Sequence, residues 1–71
     1  LSDVERHEEK VMLGLRLKEG VSIAEFSAGE LDVIESRVKQ GLLHMNAGRV
    51  RLTEKSRLLA DGIIADILVA D

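Results

Sequence analysis

Two histidines, two methionines and a central run of basic residues are the side chains in this sequence with an evident capacity for chemistry. His7 and His44 could each offer an imidazole to a metal ion, and Met12 and Met45 could offer thioethers. The spacing argues against it. Neither histidine belongs to a His-x3-His pair or stands within a carboxylate triad. The expectation is that His7 occupies a charged, solvated turn of a helix and His44 the wet face of a hairpin. Met12 and Met45 are then gap-filling core residues. No Ser/His/Asp grouping, glycine-rich phosphate loop or catalytic carboxylate pair can be assembled. There is no cysteine, which excludes disulfides and thiolate metal cages. No catalytic, cofactor-binding or metal-binding residue is therefore assigned, and the chain alone is not an enzyme.

The basic run carries a different chemistry. Residues 1–36 hold nine acids against four bases (−5), and residues 58–71 hold three acids (−3). Between them Arg37, Lys39, Arg49, Arg51, Lys55 and Arg57 face only Glu54 (+5). Such a block is the electrostatic footprint of a nucleic-acid interface. Arg37 and Lys39 would end a reading helix, while Arg49, Arg51 and Lys55 would touch phosphate from a wing. Against this, Glu30, Asp32 and Glu35 sit in the same helix, which has Gln40 only at its end and no Asn for adenine readout. Nucleic-acid binding is thus an alternative, beside a protein–protein interaction module and a plain solvated face.

The elements that must position these residues are clearly punctuated. Ser2-x-x-Glu5, Ser22-x-x-Glu25 and Ser27-x-x-Glu30 each fit a capping box, and Thr53-Glu54 makes a fourth helix start. A first helix is expected from Asp3 to Leu17, with Val4, Val11 and Leu15 inward, widened by Met12, Leu13 and Leu17. Gly14 lies against helix propensity, which a closely packed neighbour would explain, and Gly20 suits a left-handed C-cap. A short helix over Ile23–Phe26 places the sole aromatic in the core. A third helix spans Glu30–Gln40, with Leu31, Ile34 and Val38 on one face and Gly41 closing it. Period-2 alternation over Leu43–Met45 and Val50–Leu52, around Asn46-Ala47-Gly48, predicts a β-hairpin with Gly48 at positive φ. The last helix, Glu54–Val69, is apolar on most sides, so it is wrapped by the others or covers a partner. Arg16 and Glu19 are expected to pair. The fold class is mainly α with one β-hairpin, in the order helix, short helix, helix, hairpin, helix of a small winged-helix-like domain.

Seventy-one residues make a single domain, 1–71, near the lower limit for an unstapled core. No apolar run approaches the ~20 residues of a membrane span and no signal-peptide pattern opens the chain, so no membrane partner and a cytoplasmic setting are expected. The opening Leu rather than Met suggests a piece of something longer.

Two stretches go beyond pattern. Residues 9–21, EKVMLGLRLKEGV, and residues 49–61, RVRLTEKSRLLAD, with the intervening Gly41-Leu42-Leu43 turn, resemble the C-terminal domain of one radical-SAM family. That family comprises the oxygen-independent coproporphyrinogen III oxidases and related heme chaperones. The resemblance spans essentially the whole chain, with one departure: Ser56 stands where the family usually has Gly. It implies a parent oxidoreductase or heme chaperone of porphyrin and heme metabolism. Such a parent uses S-adenosylmethionine and a [4Fe–4S] cluster and, in the chaperone branch, heme. The family's cluster cysteines and its His-Asn-x-x-Tyr-Trp motif lie upstream, so no functional residue carries over and this fragment holds no cofactor. The implied partner is the catalytic barrel of the same chain, with the domain shaping the tetrapyrrole cleft and meeting the tetrapyrrole only indirectly.

Overall fold

A computed structural model describes residues 2–70. Helix α1 (Asp3–Gly14) leads to a two-residue strand β1 (Val21–Ser22) and a 3-10 turn at Ile23–Glu25. Helix α2 (Ala28–Lys39) precedes the hairpin β2 (Leu43–Asn46) and β3 (Arg49–Leu52). A 3-10 segment, Glu54–Leu59, then runs into α3 (Ala60–Leu68). The chain is mainly helical with the expected hairpin, and the expected element order holds with one addition, the strand β1 before the short helical turn. The sheet is antiparallel, in order β1-β3-β2, so β3 is central.

The core is one cluster. Val11 and Leu15 come from the first helical segment, Val21 and Phe26 from the following turn, and Ile34 from α2. Leu43, Val50 and Leu52 come from the hairpin, and Ala60, Ile63, Ile64 and Ile67 from α3. The apolar side of α3 is thus turned inward, against α2 and α1. Phe26 is buried as expected, and Leu31 and Val38 pack partly buried beside Ile34.

α1 is shorter than its sequence suggests, and the reason lies in the sheet. The Leu52 amide donates to the Leu15 carbonyl at 2.9 Å, the acceptor that a continuing helix would offer to residue 19. The chain leaves the helix so that this bond can form. Val4, Met12, Leu13 and Leu17, expected to face inward, lie outside the core, at 68%, 45%, 58% and 53% exposure. Gly14 is explained as expected: an added Cβ would lie 2.5 Å from a Val21 methyl. Gly20 serves not as a helix cap but as the point where β1 meets β3. It has φ +69°, and a Cβ there would lie 2.2 Å from the Val50 carbonyl oxygen.

Of the helix starts, only Ser27 forms a full capping box, with Glu30. Ser2 accepts from the Glu5 amide and Ser22 from the Ala24 amide. α2 closes at Gly41 with the Gly41 amide on the Val38 carbonyl and the Leu42 amide on the Arg37 carbonyl, a Schellman pair. Thr53 does not cap the last helix. Its hydroxyl donates to the Gly41 and Leu42 carbonyls at 2.9 and 3.3 Å, so the segment it leads stays 3-10 before α3 begins. Ser56 is fully buried with its hydroxyl on the Thr53 carbonyl, a site where only a small side chain fits.

The hairpin turns on Ala47 (φ +53°) and Gly48 (φ +75°). Positive φ at both central residues is the type I′ geometry that Asn-Gly fills best, and Ala pays steric strain there. Ala47→Asn should therefore raise stability by about 0.5–1 kcal/mol, read as a rise of several degrees in the thermal midpoint. Gly20→Ala should lower it by roughly 3 kcal/mol, through left-handed strain added to a backbone clash, measurable by urea unfolding.

Candidate functional site

The structure gives several of the chain's polar candidates surroundings different from those expected of them. His7 is not a solvated helix residue. Its Nε2 lies 3.1 and 2.9 Å from the two carboxylate oxygens of Glu30, and its ring meets Phe26 edge-on at 6.0 Å. The local fold makes this partner. Glu30 is the third residue of α2, where the helix dipole favours a carboxylate, and its Oε1 also accepts from the Ser27 amide at 2.9 Å. Glu30 is buried, at 6% exposure, and the carboxylate is satisfied by Ser27 on one side and by the imidazole on the other. The pair ties α1 to the start of α2. Only the Ser27-x-x-Glu30 spacing hinted at it; nothing in the sequence brought His7 to the same place.

His44 does lie on the exposed face of β2, opposite Arg51. Met12 and Met45 are 45% and 39% exposed rather than core residues: Met12 lies on the outer side of α1, whose buried residue is Val11, and Met45 sits near the open tip of the hairpin. Among the described residues no group of three or more His, Cys, Asp or Glu could hold a metal ion, and no helix is long and apolar enough to cross a membrane.

The five basic residues named for nucleic acid divide. Arg37 donates to Asp66 of α3 at 2.9 Å, and Lys39 lies 3.8 Å from Glu35 on its own helix. Arg49 donates to the Glu19 and Gly20 carbonyls at 2.7 and 3.1 Å. Lys55 lies over the Gly41 turn, and Arg51 shares one cavity with Arg49. Arg16 pairs not with Glu19 but with Asp61, at 3.0 Å, while another of its donors reaches the Met12 carbonyl.

The sequence raised the last helix as apolar enough to cover a partner; the structure leaves aliphatic side chains exposed there and also in the first helical segment, where they were expected to face inward. Leu13 and Leu17 are more than half exposed, Leu59 is 57% exposed and Leu58 is 98% exposed. The Arg16–Asp61 bridge joins the segment carrying the first two to the segment carrying the others. Beside Leu58 and Leu59 lies an open groove of about 550 Å³, apolar at Leu42 and Ile63 and edged by the Arg37–Asp66 pair. These leucines belong to the two stretches, 9–21 and 49–61, that carry the resemblance.

Comparison with known sequences shows the family. The profile of the HemN C-terminal domain matches residues 1–59. The chain belongs to the HemN C-terminal domain family. The match takes in α1 through the 3-10 segment and stops short of α3, so it is somewhat shorter than the resemblance read along the sequence. Two curated relatives, both described as heme chaperone HemW, from Mycobacterium tuberculosis strains CDC 1551 / Oshkosh and ATCC 25618 / H37Rv, are 37% identical over 62 residues. That alignment covers 87% of this chain but 16% of each relative, so the chain spans a small part of their length. No solved structure matches significantly.

Glu30 is the polar residue on which the core most depends. Glu30→Ala strips partners from the Ser27 amide and from His7 together, and should destabilise by about 2 kcal/mol. His7→Ala should cost about 1 kcal/mol. Urea denaturation of the two single variants and the double variant checks this, the double losing less than the sum if the contacts form one network.

Proposed function

We propose that this domain is the accessory C-terminal unit of a radical-SAM protein of porphyrin and heme metabolism. It docks on the catalytic barrel of its own chain and contributes no reacting group. The observation that carries this reading is a core closed within the chain beside leucines left in water. Burying a leucine contributes about 1.5–3 kcal/mol, so Leu13, Leu17, Leu58 and Leu59 together supply ample driving force for a stable intramolecular contact. The occupant is the remainder of the same polypeptide, because the relatives share the domain as 16% of a longer chain.

S-adenosylmethionine and the [4Fe–4S] cluster belong in this proposal to the barrel, as does heme if the parent is a chaperone. That both relatives are described as heme chaperones favours heme delivery over oxidation of coproporphyrinogen. The domain then shapes or shields the tetrapyrrole cleft from its side, excluding water rather than binding the macrocycle. A cytoplasmic setting fits this work. The nucleic-acid alternative is less well supported, because Arg37 and Lys39, at the end of the would-be reading helix, already have partners inside the chain.

Hydrogen exchange on the full-length protein and on the 71-residue chain tests the docking. Amides of residues 12–18 and 54–60 should exchange at least roughly tenfold more slowly in the full-length protein, consistent with one further kcal/mol or more of local protection. Leu58→Asp should abolish that difference while changing the stability of the isolated chain by less than about 0.5 kcal/mol, since the side chain is already exposed. Equal exchange in both contexts would overturn the proposal.

A further inference from the structure

The outer face of the hairpin gathers positive charge that neither the core nor the docking surface uses. His44 and Arg51 are cross-strand partners, as are Asn46 and Arg49. By the two-residue period of a strand all four stand on the face opposite Leu43, Val50 and Leu52. With Lys18 from the turn after α1, they line a cavity of about 320 Å³. Glu19 is the acid in its lining, against the permanent cations Lys18, Arg49 and Arg51.

Arg49 is held in place before any ligand arrives. Its Nε donates to the Glu19 carbonyl and its Nη2 to the Gly20 carbonyl. Two of the five guanidinium donors fix the group, and the others remain for a ligand. Among the described residues, Lys18, His44 and Arg51 take part in none of the side-chain hydrogen bonds or ion pairs that order the rest of the surface. Ala47, with its strained positive φ, forms part of the same wall. Like charges on one hairpin face and a strained turn both oppose stability. An anion in the cavity reverses the first of these.

We propose that this cavity binds a small oxyanion, a polycarboxylate or a phosphate. Arg49 and Arg51 fork its oxygens, and Lys18 and His44 complete the ring of donors. The volume lies at the lower end of the range of ligand pockets, about 300–1,000 Å³, which suits a molecule of citrate size.

The test is an amide and side-chain NMR titration of the 71-residue chain with citrate, and separately with inorganic phosphate, at constant ionic strength. Saturable shifts confined to Lys18, His44 and residues 46–51 are expected from at least one of the two. Arg51→Gln should weaken binding about tenfold, and Glu19→Gln should tighten it about threefold by removing the opposing charge. Arg57→Gln, whose side chain lines a different depression, should leave it unchanged. If Arg51→Gln disturbs the fold, Lys18→Gln on the exposed turn serves in its place. Shifts that fail to saturate with both anions, or that respond equally to the Arg51 and Arg57 variants, would overturn the assignment. So would tight binding of duplex DNA at these residues without competition from citrate, which would give the face to nucleic acid instead.

Discussion

A single backbone hydrogen bond, from the Leu52 amide to the Leu15 carbonyl, organises this domain. It joins the end of the first helical segment to the central strand, and the surrounding contacts depend on that junction. Val21 pairs with Val50 across the sheet, Gly20 lets the two backbones close, and Gly14 leaves room for the Val21 side chain. Leu15, Val50 and Leu52 are all buried at the meeting point. An unpaired amide or carbonyl there would be expensive, so helix end, strand and turn are fixed together.

That junction gives the family's two segments a physical meaning. Residues 9–21 and 49–61 are far apart in sequence and lie against each other in space. Leu15 bonds Leu52, Val21 faces Val50, Arg49 grips the Glu19 and Gly20 carbonyls, and Arg16 pairs with Asp61. Their glycines, leucines and arginines serve a tertiary contact, while Leu13, Leu17, Leu58 and Leu59 stay exposed. None of these roles is a reaction.

Much of the fold was legible because its signals are local. The Ser27-x-x-Glu30 box, the 3–4 spacing of Leu31, Ile34 and Val38, and the alternation of Leu43, Val50 and Leu52 each report on a few neighbouring residues. What escaped depends on distant partners. β1 is two residues long, too short for any period to show. The early end of α1 follows from a carbonyl claimed by β3, and the 3-10 start of the last helical segment follows from a threonine hydroxyl claimed by the Gly41 turn. His7 looked solvated because its partner lies on another helix. The leucine-rich motif looked like core because hydrophobicity alone does not say which apolar residues stay outside.

The position of β3 between β1 and β2 also sets how the chain can fold. α1 buries Val11 alone within its own span, too little to hold a short helix in water. Beyond the His7–Glu30 tie to α2, the buried end of this segment is covered when residues from the far side of the hairpin return to meet Leu15 and Val21. The amino-terminal half therefore waits for the carboxy-terminal half, and the domain forms as one cooperative unit rather than in stages. A nascent chain released short of Leu52 would have helix-forming sequence and no folded state to put it in.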